Sequence, residues 1–390
     1  MEKRNFYKVG TYMDSLIERK RLAGCSVQIK LQDELVYEHY TGYADVASQK
    51  PITEDTLYRI YSMTKPITVT AALQLYEQGH FLLNDPVSEY LPEFKEMQVA
   101  VKKENGEYEL RPAEREIRIR DLFCMTSGMS YDGNSCLTEC MTGDLLKNLY
   151  KGFENESCPT REFVRHAARL PLAFEPGTHW KYGISHDILG GLVEVISGER
   201  FGDYVRKHIC EPLGMTDTDF HMEDEKLSRL ASIYSYKNGD IELCDTIFQK
   251  NYTLKSICES GGAGLISSLS DYMKFASAMT RGGTSADGLR LLGSQTVDLL
   301  RRDHLGELRG DLNWPGLSGY SYGLGVRTLV NPAEGGVNGS VGEFGWSGMA
   351  GTYVVMDPAK QLTVVYMQQL VPSTEEYIHP RLRNIVYGCL

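Results

Sequence analysis

Apolar residues Tyr7, Tyr12, Leu16 and Ile17 recur at helical spacing, which predicts a helix over residues 6–22. Two runs of strand character follow, residues 25–31 and 34–40, joined by the polar pair Gln32-Asp33, so a β-hairpin is expected. Beyond Thr56 the pattern changes. Ile67, Val69, Ala71, Ala72, Leu73 and Leu75 make a segment apolar nearly all round, as in a helix buried on every side. Gly79 supplies its stop signal, and Pro66 falls in the first turn, where a missing N–H costs least.

From about residue 84 to 215, polar loops alternate with helical segments. Residues 95–117 are charged and read as an exposed excursion, whereas 163–170 and 188–197 read as helices. Residues 217–255 are loop- and strand-rich, and 271–281 and 294–302 are helical. Strand patterns return at 324–330, 351–356 and 361–368, before a last helix near 374–387. Strands at both chain ends with helices between them predict an α/β (α+β) fold, in which a central antiparallel sheet carries a mostly helical insert. The expected organisation is one catalytic unit over 1–390, with its α/β part at about 1–60 and 260–390 and the insert at about 61–259.

Composition narrows the partners. A net charge of −11 with no basic block argues against nucleic acid and against an anionic membrane surface. No apolar run approaches the ~18 residues of a membrane span, and the polar N-terminal stretch has no signal core. Nine scattered cysteines without Cys-x-x-Cys, Cys136 and Cys140 being the nearest pair, read as reduced thiols and predict a cytoplasmic protein. The nine histidines form no metal motif, and no phosphate loop is present, so no metal and no cofactor are expected. Oligomeric state is not legible.

The candidate chemistry centres on Ser62-Met63-Thr64-Lys65, the one Ser-x-x-Lys of the chain, where a strand-like approach meets the apolar helix. Residues three apart share a helix face, so the Lys65 amine can reach the Ser62 hydroxyl. A desolvated lysine loses its proton more readily and can then activate a serine. A second element is Trp180-Lys181-Tyr182, where a phenol beside an ammonium would release its proton more easily and shuttle it; Tyr182 packed against Trp180 for stability is the alternative. A third is the glycine-dense 342–351, which marks close backbone approach and the possible offer of an oxyanion-binding N–H, or else a bulged edge strand.

Together these blocks resemble the serine β-lactamase and penicillin-binding-protein superfamily, on the class C-like branch and nearest the family VIII carboxylesterases. Further blocks carry the resemblance: 122–129, Phe174-Glu175-Pro176-Gly177, Leu189-Gly190-Gly191, Pro212-Leu213-Gly214-Met215, 261–268, and Trp346-Ser347-Gly348 through Asp357-Pro358. The resemblance implies the β-lactamase-like fold, Ser62 as nucleophile and Lys65 with Tyr182 as the proton-transfer pair. It also implies the N–H groups of Ser62 and Met349 as oxyanion hole. Two departures bear on substrate. Ile184 stands where the lactamases carry the asparagine of Tyr-x-Asn, and Trp346-Ser347-Gly348 stands where they carry Lys-Thr-Gly. Trp346, Ser347, Gly348 and Ile184 are therefore the expected substrate-binding positions, suited to a neutral ester more than to a β-lactam carboxylate.

The expected activity is acyl-enzyme hydrolysis of small carboxylic esters, with transfer of the acyl group to another alcohol or amine open to the same residues. β-Lactamase or D-alanyl-D-alanine peptidase activity is the alternative, and a non-catalytic binding protein on the same fold is an alternative of another class. Gly319-Tyr320-Ser321-Tyr322-Gly323 fits the nucleophile-elbow pattern, but a strand pattern follows where that elbow needs a helix, so Ser321 is set aside. His186 either lines the pocket or is structural, and Asp187 reads as a helix cap or a helix-face partner.

Overall fold

The computed structural model describes residues 6–131, 159–237, 239–244, 259–312, 314 and 316–390. Strand β1 (Gly24–Leu31) and β2 (Glu34–Asp45) form the expected hairpin. Gln32 and Asp33 both take positive φ, at 53° and 66°, the geometry that matches a two-residue turn to strand twist without a glycine. The strands that follow are β3 (Lys50–Pro51), β4 (Leu57–Arg59), β5 (Gln98–Lys102) and β6 (Tyr108–Pro112). Next come β7 (Tyr234–Lys237), β8 (Asp240–Leu243), β9 (Ile266–Ser268), β10 (Tyr320–Tyr322) and β11 (Arg327–Leu329). The last are β12 (Phe344–Gly345), β13 (Tyr353–Asp357) and β14 (Leu362–Gln368).

Eight of these make one antiparallel sheet in the order β10-β11-β12-β13-β14-β1-β2-β3, so both chain ends build it, as the pattern predicted. Alternation sorts its two faces. Tyr353, Val355, Val364 and Tyr366 point into a core closed by the terminal helices Tyr7–Glu18 and Glu375–Tyr387. Val354, Met356, Val365 and Met367 point the other way, onto the Leu269–Thr280 helix and the main core. The fold is β-lactamase-like: an antiparallel sheet flanked by helices, with a largely helical region between the sheet's two halves.

Three details depart from the pattern. β10 and β12 went unread because they are three and two residues long, too short for alternation to register. The charged excursion near 95–117 folds as the β5–β6 hairpin. Helix starts also lie earlier than the apolar periodicity indicated, at Thr160 and Ser185. Cys136 and Cys140 lie outside the described residues.

The central helix, Thr64–Glu77, explains why the site is rigid. Of its 14 residues, 11 are buried, packed chiefly against the Ser185–Ser197 and Phe201–Val205 helices. Each large aliphatic side chain buried there contributes about 1.5–3 kcal/mol. The helix ends at Gln78, followed by Gly79 at φ 77°.

Candidate active site

Ser62 lies on a 3₁₀ turn, Tyr61–Met63, that joins β4 to the central helix. Tyr61, immediately before it, has φ 43°, a left-handed backbone that costs a non-glycine residue about 1–3 kcal/mol and is held by burial of its ring against Ile233 and Ala350. That turn lifts Ser62 to a half-buried position, while Lys65, in the first turn of the helix, is fully buried.

The Lys65 Nζ stands 3.2 Å from Ser62 Oγ, 2.8 Å from the Gly262 carbonyl oxygen and 3.4 Å from Tyr131 Oη. Burial pushes the amine down to about 7, against the opposing charge of Asp187. A neutral amine has two N–H bonds and one lone pair. With the N–H bonds directed at Gly262 and Tyr131, the lone pair is left for the Ser62 hydroxyl.

Tyr182 completes the group. Its hydroxyl hydrogen-bonds Ser62, its oxygen accepts the Trp346 indole N–H at 3.1 Å, and its ring lies 4.5 Å from Lys65 Nζ. The expectation that a neighbouring ammonium would ease proton loss from this phenol is corrected here. Burial raises Tyr182 well above the ordinary tyrosine range, and the neighbouring amine is the group brought down toward neutrality. Tyr182 is held in place from below: Gly183 carries no Cβ because one would stand 1.8 Å from the Met129 carbonyl oxygen. The same approach lets Tyr131 N–H bond the Tyr182 carbonyl and sets the two rings 5.4 Å apart, tilted by 58°.

The glycine-dense segment is a hairpin tip, not one continuous strand. Trp346 and Ser347 extend β12, Ser347 bridges Tyr353, and residues 348–351 turn back into β13. Close approach is real here. A Cβ on Gly348 would stand 2.3 Å from the Ile60 carbonyl oxygen and 2.2 Å from Thr352 Oγ1. Thr352 Oγ1 donates to that same Ile60 carbonyl, which ties the tip to the residue two before Ser62. Met349 follows at the exposed end of this tip.

Trp346 forms one wall with Trp314, Trp180 and Tyr322, with ring separations of 5.1–6.4 Å about Tyr182 and Trp346. Beside Trp346 and Ser347 opens a narrow cleft bounded by Trp314, Leu317, Tyr320 and Val337, with Glu376 and His379 also on its lining. Two cations, Arg327 and Arg383, also line this cleft; both are nearly fully buried and share the Glu343 carboxylate at 3.3 and 2.9 Å.

Other expected positions fall differently. Ile184 is corrected as a substrate contact: it is fully buried in the main core at the start of the Ser185–Ser197 helix. Ser321 is fully buried in β10, its hydroxyl donating to Asp303 at 2.5 Å. His186 is buried and donates from Nε2 to the Phe123 carbonyl at 3.1 Å, and burial pushes it down to about 3, so it is a neutral structural residue. Among the described residues, no group of three or more His, Cys, Asp or Glu side chains is arranged to hold a metal. No helix among them is long and apolar enough to cross a membrane.

Tyr131, Gly262 and Asp187 join the site without having been assigned to it from the sequence. Tyr131 sits two residues after the block ending at Met129, which was the available signal. Gly262 lies in a block quoted for the resemblance but acts through its carbonyl, which no residue type announces.

Comparison with known proteins gives the family and the fold. The family described as Beta-lactamase matches residues 9–386. A Mycobacterium tuberculosis protein, Rv1367c, is 30% identical over 358 residues, covering 90% of this chain and 87% of that protein. Esterase EstB of Burkholderia gladioli is 27% identical over 384 residues, covering 92% and 89%. Among solved structures, the unliganded Simvastatin Synthase (LovD) from Aspergillus terreus superposes with a TM-score of 0.82 at 25% identity, covering 98% of both chains.

Proposed function

The chain belongs to the Beta-lactamase family, and on that premise we propose that it is a serine hydrolase that cleaves carboxylic esters through an acyl-enzyme on Ser62. The observation that carries the reading is the buried Lys65 amine 3.2 Å from Ser62 Oγ, oriented by the Gly262 carbonyl. Ser62 Oγ attacks the acyl carbon and its proton passes to Lys65 Nζ, while the carbonyl π pair moves onto oxygen. The N–H groups of Ser62 and Met349 stabilise that oxyanion. As the tetrahedral adduct collapses, the C–O bond to the alcohol breaks. The alkoxide takes a proton from Tyr182, which is restored from the Lys65 ammonium. Water then attacks the acyl-enzyme, giving its proton to Lys65, and Ser62 recovers a proton as the acid leaves.

An alcohol in place of water would make the same step an acyl transfer. A relative named an esterase and a structural neighbour named a synthase support keeping both outcomes within one mechanism. The aromatic wall of Trp346, Trp314 and Tyr182 suits an apolar, neutral group, and Arg327 and Arg383, which line the cleft, are already paired with the Glu343 carboxylate. We therefore place β-lactams and D-alanyl peptides below simple esters as substrates, with no cofactor and no macromolecular partner. The same reading treats the chain as one catalytic unit in the cytoplasm.

The test sets kcat/KM for p-nitrophenyl acetate and butyrate against nitrocefin on one preparation. Esters ahead, with turnover lost in Ser62→Ala, bear the reading out. Nitrocefin equal or ahead replaces it with a lactamase, and no turnover together with no labelling by a fluorophosphonate makes the chain a binding protein.

A further inference from the structure

We propose that Asp187 is the positioning residue of the base: it pins the loop whose carbonyl aims the Lys65 amine at Ser62, and its negative charge sets how firmly that amine holds a proton. The proposal rests on the reading of Lys65 as proton acceptor. Asp187 is the third residue of the Ser185–Ser197 helix, where free N–H groups and the helix dipole favour an anion. It is buried, and its Oδ1 accepts the Ser260 hydroxyl at 2.5 Å and the Gly262 N–H at 3.1 Å. Gly262 in turn gives its carbonyl to Lys65 Nζ at 2.8 Å. One residue, through its N–H on one side and its carbonyl on the other, thus transmits the position of Asp187 to the amine.

The loop has no slack. A Cβ on Gly261 would stand 2.3 Å from the His186 carbonyl oxygen, and one on Gly262 would stand 2.6 Å from Asp187 Oδ2 and 2.9 Å from Tyr131 Oη. On its far side the Gly261 carbonyl accepts the Thr68 hydroxyl at 2.7 Å, so the loop is clamped between the central helix and the start of the next. Geometry and charge act together here. Burial strips Lys65 of solvent, and Asp187 is the charged group set against it among the described residues. The other groups facing it are uncharged: Ser62, the Tyr131 and Tyr182 phenols, and His186, which is neutral. Burial raises Asp187 too, and the two donors on Oδ1 and the nearby lysine oppose that rise.

The sign follows. A neighbouring anion favours the ammonium, so removing it makes Lys65 a weaker base that loses its proton at lower pH. The pH profile of kcat/KM reports the free enzyme. In Asp187→Asn, which keeps an acceptor oxygen, the acid limb should move down by about one pH unit or more, the scale on which a close opposite charge shifts a pKa. Ser260→Ala loosens the loop but keeps the charge, so its limb should stay while its plateau falls. Should Asp187→Asn fail to fold, Asp187→Ser is the neutral replacement of smaller size, with the same downward shift expected. A limb unmoved in the neutral variant overturns the role of Asp187. A wild-type profile with no acid limb overturns Lys65 as the base, and so separates that failure from this one.

Discussion

Trp346 donates its indole N–H to the Tyr182 hydroxyl oxygen at 3.1 Å, joining residues 164 apart in sequence. The bond occupies a lone pair on the phenol and leaves its O–H free to face Ser62. Trp346→Phe keeps the apolar wall and removes this bond. One hydrogen bond is worth about 0.5–1.5 kcal/mol, so kcat for p-nitrophenyl butyrate should fall roughly threefold to tenfold, with KM nearly unchanged. A raised KM at wild-type kcat would make Trp346 a wall alone. Trp346→Lys should move the ratio of ester to nitrocefin turnover toward the lactam.

Ser62 should carry the covalent adduct. Intact mass after incubation with a slow ester, followed by peptide mapping, is expected to place the acyl group on Ser62 and to show none in Ser62→Ala. An adduct on Ser321 would contradict its burial and its bond to Asp303.

Lys65 and Tyr182 should behave as one unit. Lys65→Ala and Tyr182→Phe are each expected to lower kcat on the order of 10²-fold or more, as loss of general acid–base catalysis does. Groups that act together are strongly non-additive on removal, so the double variant should be little worse than the poorer single one. Near-normal turnover in Tyr182→Phe would assign its proton to another group.

The pH dependence has a definite direction. Lys65 is pushed down to about 7 and must be neutral to accept the Ser62 proton, so kcat/KM should rise through about pH 7 and then level off. Tyr182, held up by burial, stays protonated over the accessible alkaline range, so no alkaline fall from the phenol is expected before the protein unfolds. A profile falling between pH 7 and 9 would mean that the protonated amine is the active form.

Gly348→Ala should damage both stability and activity. The new Cβ would stand 2.3 Å from the Ile60 carbonyl oxygen, which cannot move without displacing the turn that carries Ser62. Forced overpacking costs about 1–3 kcal/mol. Thermal melts should show a lower Tm, and kcat should fall further than the stability loss alone would bring about. A variant with unchanged Tm would show that the hairpin tip yields.

Local pattern made the first hairpin, the central helix and the two terminal helices legible, because each has a long period or an unambiguous turn. Ser62 and Lys65 could be paired from residue type and spacing, whereas Tyr182 was singled out only by the family resemblance. Asp187 was not, since its partners Ser260 and Gly262 lie 73 and 75 residues away and meet it only through packing. Ile184 misled for the related reason that its position in a motif does not say which way its side chain turns at a helix start. The high proton affinity of the Tyr182 phenol escaped as well, because burial sets it and the depth of a loop residue is not written in the spacing.

The chain has three tryptophans, and all three rings stand within 6.4 Å of Tyr182, centroid to centroid. The protein's ultraviolet emission above the tyrosine band therefore originates at this one phenol's surroundings. Its intensity is a built-in, label-free gauge of whether the cleft is empty, filled or acylated. Stopped-flow fluorescence can follow a single turnover of an unmodified, non-chromogenic ester, which opens substrate screening to compounds that carry no dye.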